Sequence, residues 1–501
     1  MKTITTNLPR KLYRAEQIRE NEADVAALVD IQMYPLMVLA GQAVVDCALM
    51  HAHENTLFYV ICGTGNNGGD GYVVARCLDS AGRMVEVIQT GDVEKIKGEA
   101  KQARDAWLVA GGKESQQFPQ KWDSDAMIID ALLGTGLTGD LREEHLQCIE
   151  RMNTSGRMII SVDVPSGLNA NCGQPMPDAV EADMTVTFIA LKRGLVTGFG
   201  PHYSGQIYFA GLGLNKTFEK QVESSAQFSN AEQLIQQLKP RAKFYHKGMC
   251  GKVVLVGGNK GMPGAIRLAA ESALRCGAGL VSVLTHPDNI AAVVSSRPEL
   301  MVQGIEDGEE ATALLEAADV IVVGPGLGQD NWAISILRQI LDLDKYRVMD
   351  ADALNLIAFA PEPVKLRNTV ITPHPGEAAR LLKKSTQDVE SDRFSAAKQL
   401  QQQHQAVTVL KGAGSIIASE SQCLVNHSGN PGMATAGMGD VLSGIIGAFV
   451  GQGMPLEDAA ALGVYLHGAA ADLASSQGQR GMIASDLFPY LRQLVNPESA
   501  R

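Results

Sequence analysis

The stretch Val60-Ile-Cys-Gly-Thr-Gly-Asn-Asn-Gly-Gly-Asp-Gly-Tyr-Val-Val-Ala-Arg-Cys-Leu78 joins two kinds of apolar pattern. Leu57 to Cys62 is a short run of strand character, while Val73, Val74, Cys77 and Leu78 recur at helical spacing between Asp70 and Ser80. Between them, Gly63, Gly65 and Gly68 match G-x-G-x-x-G, the loop whose backbone N–H groups approach a pyrophosphate at a helix N-terminus. Strand, Gly-rich turn and helix in this order open a doubly wound α/β sheet. A cofactor loop for hydride transfer leaves Asn66, Asn67 and Asp70 unexplained, because a carboxylate facing phosphate gains nothing. The stretch therefore implies a dinucleotide site whose chemistry is not hydride transfer.

Outward from this unit the alternation continues. Met84 to Gln89, Ala126 to Asp130, Met158 to Asp163 and Met184 to Ile189 read as strands, and Arg14 to Asp30 and Tyr34 to His53 as preceding helices. The pattern turns polar and loses strand character from Asn215 to about Lys243. A second series then begins at Lys252 and runs through Leu280 to Leu284, Val320 to Val323, Arg347 to Asp350, Val370 to Thr372 and Val407 to Leu410. Helices follow from Val441. Two α/β domains are expected, residues 1–220 and 225–501, each a parallel sheet with helices on both faces.

Composition agrees. A chain of 501 residues exceeds one ordinary core, and 51 glycines with only 5% aromatics suit many tight strand-to-helix turns. The net charge of −12 argues against nucleic acid or an anionic membrane as partner. The N-terminus lacks a signal-type apolar core, and no uninterrupted apolar run approaches the length of a membrane span. Cys47, Cys62, Cys77, Cys148, Cys172, Cys250, Cys276 and Cys423 form no C-x-x-C pair and read as reduced thiols of a cytoplasmic protein.

Polar side chains cluster where first-half strands end: Asn66, Asn67 and Asp70, then Asp130, then Asp163 and Ser166. Strand C-termini share one crest, so these groups converge, although each Asp or Ser alone could cap a helix or turn. Gly134 to Asp140 is a second glycine-rich turn able to offer N–H groups to phosphate. Asn67, Asp130 and Ser166 offer only oxygen, which suits a hard, monovalent cation. Lys192 is a candidate for meeting phosphate or for a solvated position. In the second half, Gly437-Met-Gly-Asp440 opens a long apolar helix as an anion hole in which Asp440 takes a proton from an attacking hydroxyl. Lys411 heads another Gly-rich turn, and His374 sits between two prolines.

Asn66-Asn-Gly-Gly-Asp-Gly71, Asp130-Ala-Leu-Leu-Gly-Thr-Gly-Leu137, Val162-Asp-Val-Pro-Ser-Gly-Leu168 and Thr187-Phe-Ile-Ala-Leu-Lys-Arg-Gly-Leu195 together resemble the NAD(P)H-hydrate epimerase domain, a Rossmann-like fold. The resemblance implies that Asn66, Asn67, Gly68, Gly69, Asp70, Gly134, Thr135, Gly136, Leu137, Thr138, Gly139, Asp140, Asp163 and Lys192 bind the damaged dinucleotide. It also implies potassium at Asn67, Asp130 and Ser166. Epimerisation requires only loss and return of the C6 hydroxyl through a nitrogen-stabilised cation, acid–base work expected of Asp163. The second half resembles the ribokinase-like, ADP-dependent NAD(P)H-hydrate dehydratase domain through Gly257–Ala265, Arg275–Val281, Gly324–Gly328, Asp350–Asn355, Thr372–Glu377, Lys411–Gly414 and Gly437–Asp440. Here the resemblance implies hydrate contacts at Ala265, Gly326, His374 and Asp440, and nucleotide contacts at Lys411, Gly412, Ala413, Gly414, Ser415 and Gly439. Met262 and Ser415 depart from the aromatic and Thr frequent in relatives. Asp440 is expected to be catalytic, activating the hydroxyl to attack ADP; loss of phosphate then restores NADH or NADPH and leaves AMP.

The expected ligands are NADH hydrate, NADPH hydrate, ADP and AMP, with potassium for the first domain, magnesium for the second, and a homo-oligomeric assembly. Two other readings compete. One is a vitamin or sugar kinase, which would share the second fold. The other makes the first domain a non-catalytic dinucleotide sensor.

Overall fold

The computed structural model describes residues 4–136, 139, 141–295 and 297–496. The expectations for Leu137, Thr138 and Asp140 lie outside these described residues. The chain divides into two compact units, Met1–Gln227 and Phe228–Arg501.

In the first unit seven strands form a parallel sheet in the order Glu114–Ser115, Met84–Gln89, Leu57–Cys62, Ala126–Ala131, Met158–Val162, Met184–Phe188, Gln206–Ala210. Chain order reverses between Leu57–Cys62 and Ala126–Ala131. This is the switch point of a doubly wound sheet, where the loops diverge and leave a crevice. The two glycine-rich turns read from the sequence leave these two strands. Gly63 and Gly68 are required by packing, since a Cβ on Gly63 would lie 1.9 Å from the Leu132 carbonyl oxygen and one on Gly68 2.0 Å from that of Gly63. Gly65 has open space instead, and it N-caps the helix Asn66–Ser80 without a side-chain cap.

Three successive strand exits turn through left-handed residues that are not glycine: Asp163 at φ 66°, Ile189 at φ 64° and Leu212 at φ 48°. A branched residue such as Ile rarely adopts this conformation. The helix Met33–His51 has the length and apolar composition of a membrane span, contrary to the expectation that no segment would approach one. Its Leu36, Ala40, Ala43 and Val44 belong to the core with Val60, Tyr72 and Val73. Burial against the sheet accounts for its apolar character.

Two features were not read from the sequence. The strand Lys11–Tyr13 pairs in parallel with Leu191–Lys192 and antiparallel with Ala226–Phe228, a strand inside the segment expected to lack them. The helix Ala15–Leu28 is tied down by Asn171, whose Oδ1 accepts from Ala15 N at 2.7 Å and whose Nδ2 donates to Glu16 at 2.8 Å.

The second unit has seven parallel strands in the order Met301–Gly304, Leu280–Thr285, Lys252–Val256, Val320–Val323, Tyr346–Met349, Thr369–Ile371, Val407–Leu410, extended by antiparallel Ile416–Ala418 and Cys423–Val425. Met301–Gly304 and the final antiparallel pair were not expected. The helix Met438–Gly451 lies against Pro263–Arg275 at a distance set by Gly444, where a Cβ would be 1.9 Å from the Ala269 carbonyl oxygen. Ser272 Oγ donates to Val441 O at 2.9 Å across this contact.

Candidate active sites

The switch-point crevice of the first unit is a cavity of about 750 Å³. Asn66, Asn67 and Asp70 line it from the first turn, Gly134, Thr135 and Gly136 from the second, and Asp163 and Lys192 from the far strand ends. Gly68 and Gly69 are buried behind the loop rather than facing the cavity.

Lys192 is 2% exposed, so it is neither a solvated lysine nor a free partner for phosphate. Its ammonium pairs with Asp163 Oδ1 and donates to Phe188 O at 3.0 Å and Thr187 Oγ1 at 3.2 Å. Asp163 Oδ1 also accepts from Phe188 N at 3.1 Å and from Thr187 Oγ1 at 3.2 Å. An ammonium, a hydroxyl and an amide on one oxygen make the environment of a carboxylate anion. These bonds all fall on Oδ1. Two further carboxyls share the charge field. Burial raises Asp70 well above its ordinary range, helped by Asp163 and Glu22, and burial also raises Glu22.

Asp130 is fully buried at the end of its strand. Oδ1 accepts from Ser166 Oγ at 2.5 Å and Oδ2 from Ser161 Oγ at 2.8 Å and Ser166 N at 2.9 Å. Burial nevertheless pushes its carboxyl upward, against the pull of these bonds. Asn67 Nδ2 and Ser166 Oγ both approach the Leu133 carbonyl oxygen, at 2.9 and 3.1 Å. The three residues expected to hold a cation therefore converge, joined by a backbone oxygen. This all-oxygen set with one carboxylate fits a large monovalent ion. Among the described residues no group of three or more His, Cys, Asp or Glu could hold a metal.

In the second unit Gly437, at φ 90°, N-caps Met438–Gly451 with no side-chain cap. Asp440 lies in the first turn. Burial, and then the neighbouring Asp350, raise its carboxyl to about 7 against the pull of Lys411. Lys411 Nζ sits 2.7 Å from Asp350 Oδ1 and 3.9 Å from Glu377 Oε2. Asp350 is almost fully buried; burial acts to raise it, but the Lys411 charge and bonds from Lys411, Ser443 and Thr372 hold it below the ordinary range. Glu377 is raised to about 7 by burial, with Lys411 opposing. A Cβ at Gly439 would lie 3.2 Å from Lys411 Nζ, so glycine there leaves the ammonium room beside the helix start.

His374 is half-exposed and caps the helix Pro375–Leu382, with Nδ1 accepting from Gly376 N at 3.0 Å. Nε2 lies 3.3 Å from Glu377. Burial and Lys411 lower its pKa, so the ring is neutral near pH 7. Ala265 and Gly326 are neighbours, since a Cβ on Gly326 would be 3.4 Å from that of Ala265 and 2.8 Å from the Met262 carbonyl oxygen. The turn Lys411–Ser415 includes Gly412 at φ 141° and Gly414 at φ 60°, and Ser415 Oγ closes it on Gly412 O at 3.0 Å. Ala413 lies between those glycines.

Two family models match the chain. One, described as YjeF-related protein N-terminus, covers residues 33–194, and the other, NAD(P)H-hydrate dehydratase, covers 253–493. A bifunctional NAD(P)H-hydrate repair enzyme of Escherichia coli (strain K12) is 46% identical over 99% of this chain and 96% of its own length. The protein of the same name from Coxiella burnetii is 44% identical over 97% and 99%. The chain belongs to the bifunctional NAD(P)H-hydrate repair enzyme family. Among solved structures, one from Streptococcus mutans aligns with TM-score 0.50 and 29% identity, covering 54% of this chain and 98% of its own. The ADP/ATP-dependent NAD(P)H-hydrate dehydratase of Bacillus subtilis, co-crystallised with ATP and Mg2+, aligns with TM-score 0.47 and 28% identity over 53% and 96%.

The residues of this family member that sequence reading missed lie outside the loop motifs or inside them without an assigned role. Glu22 precedes the matched first model. Asp350 and Glu377 stand within quoted motifs, yet only the fold brings them to Lys411. Arg393, 1% exposed, donates to Lys411 O at 3.1 Å and supports the turn from behind. No spacing pattern marks it, because its partner is a backbone oxygen on another element.

Proposed function

We propose that this chain repairs hydrated NADH and NADPH in two reactions. The first unit interconverts the R and S hydrates, an isomerase activity. The second unit dehydrates the S hydrate at the expense of ADP, a lyase activity that releases AMP and phosphate. The observation that carries the reading is Asp440: a carboxyl in the first turn of a helix whose start has no side-chain cap, near Lys411 and pushed up to about 7 by burial and Asp350. That is a general base next to an anion hole.

In the first unit the dinucleotide lies in the crevice between the two glycine-rich turns, with its nicotinamide ring toward Asp163 and Lys192. The Asp163 carboxylate faces the positive charge that the ring acquires when the hydroxyl leaves. Potassium would be held by Asn67, Asp130, Ser166 and the Leu133 carbonyl oxygen. Bound there, it would supply positive charge beneath the loop that carries Gly134 to Gly136.

In the second unit the turn Lys411–Ser415 and Gly439 receive the nucleotide, and Ala265, Gly326 and His374 receive the hydrate. Asp440 takes the proton of the C6 hydroxyl as its oxygen attacks the terminal phosphate of ADP. Phosphate then departs and the dihydronicotinamide is restored. Magnesium, bound mainly through phosphate oxygens and water, would neutralise the transferring group. The eight free cysteines, six of them buried, support a reducing, cytoplasmic setting.

A vitamin or sugar kinase would use the same second fold, but the fused first unit gives it no use for an epimerised dinucleotide. The test is to supply pure R or pure S hydrate to the full chain, with and without ADP and magnesium. NADH absorbance should return from S only with nucleotide, and from R at a rate governed by the first unit. Recovery without nucleotide would refute the reading.

A further inference from the structure

The ion pair between Lys192 and Asp163 places a stabilised negative charge at the cavity, where a second acid would divide proton donation from charge stabilisation. The departing C6 hydroxyl must receive a proton before it leaves as water. Asp163 accepts three bonds on Oδ1, one of them from an ammonium, which favours its use as the group that faces the cation.

Asp70 meets the need. It lies one turn into the helix Asn66–Ser80, lines the 750 Å³ cavity with Asp163 and Lys192, and has no hydrogen-bond partner among the described residues. Asp70 is partly exposed on the cavity wall, and a carboxylate there without donors is less favoured than the neutral acid. Five charged groups facing the cavity are placed by four elements. Glu22 and Arg19 come from the helix Ala15–Leu28, Glu99 from Gly98–Val109, Asp163 from the exit of Met158–Val162, and Lys192 from the short strand Leu191–Lys192. Asp163 and Glu22 act on Asp70 as negative neighbours, and Lys192 is already occupied by Asp163.

Resting on the reading of the first unit as an epimerase, we propose that Asp70 is its catalytic acid and base, and that Glu22, on the same cavity wall, is a positioning residue for it. Asp70 gives its proton to the C6 hydroxyl oxygen. The C6–O bond breaks with its electron pair leaving on water, and the ring nitrogen lone pair forms the N=C6 double bond of the cation. The Asp163 carboxylate stands opposite that charge. Water then adds to the other face of C6 and its proton returns to the Asp70 carboxylate through water in the cavity, so neither oxidant nor co-reactant is consumed. Glu22 belongs to this site because the N-terminal segment is anchored beside Lys192, where Tyr13 pairs in register with it.

The experiment measures R to S interconversion by chromatography in the full chain, with S-hydrate dehydration as an internal control for intact protein. Asp70→Asn should lose about 10²-fold or more in epimerisation while hydrate binding, followed by fluorescence titration, persists. Glu22→Gln should retain epimerisation near pH 6 and shift the alkaline limb of the pH–rate profile to lower pH, because one negative neighbour of Asp70 is gone. A merely structural Glu22 would lower the rate equally at every pH, and that outcome overturns its role. Near wild-type epimerisation in Asp70→Asn overturns the role of Asp70. If the wild-type chain does not interconvert the hydrates at all, the epimerase reading itself fails, a result distinct from either.

Discussion

Replacing Asp440 with Asn removes a carboxyl whose pKa lies near 7 and leaves its volume almost unchanged. In the unfolded chain this group titrates at about 3.8, and in the fold at about 7. The folded state therefore holds the proton more tightly. The cost of ionising Asp440 is absent below pH 3.8, grows as pH rises, and is complete above 7. That difference corresponds to about 4 kcal/mol at pH 8, an upper bound because Glu377 titrates in the same range and shares the field. The variant should thus be more stable than the wild type at pH 8, by several degrees in the melting of the second unit at roughly 2 °C or more per kcal/mol. At pH 4 the advantage should nearly vanish. Dehydration should fall by about 10²-fold or more, while R to S interconversion is untouched. Thermal melts at pH 4 and pH 8, paired with the absorbance assay, check both halves. Equal melting differences at the two pH values, or a variant less stable at pH 8, would refute the charge argument even if activity were lost.

The wild-type dehydration rate should rise about tenfold between pH 6 and pH 8 as Asp440 ionises from a value near 7; a flat profile where chemistry limits the rate would exclude it as base. Lys411→Met leaves Asp350 buried without its cation and should destabilise the second unit by about 3–5 kcal/mol, read as a lower denaturant midpoint. Gly444→Val places side-chain carbon against the Ala269 carbonyl and should cost about 1–3 kcal/mol or more, lowering the melting of the second unit and leaving epimerisation intact. Exchanging potassium for sodium should slow epimerisation without altering dehydration of pure S hydrate, and equal rates in both salts would count against the Asn67, Asp130 and Ser166 site.

The alternation of strands and helices was legible because each parallel strand is a local apolar run and each crossover helix a local amphipathic one. The loop motifs were legible because close backbone approaches require glycine at fixed spacing, as Gly63 and Gly68 show. Edge elements were not. Lys11–Tyr13 and Ala226–Phe228 are short and pair across about two hundred residues, so neither carries a pattern of its own. Charge networks were equally hidden. Lys192 read as a free cation until the fold placed Asp163 beside it, and Lys411 as a phosphate ligand alone until Asp350 and Glu377 met it. Which acid carries a proton depends on neighbours from distant elements, and sequence spacing contains no record of them.

The left-handed turns at Asp163, Ile189 and Leu212 bear on how the first cavity meets its ligand. Each holds a non-glycine residue in a conformation that costs about 1 kcal/mol or more, and all three line the same wall. Such a wall persists only because the surrounding sheet and helices over-determine it. The crevice is then shaped before the dinucleotide arrives, and little of the ligand's binding energy goes into organising that side. Glycine at Ile189 would relieve the conformation and soften the wall, so binding would weaken through a looser receptor as well as through the lost lining side chain.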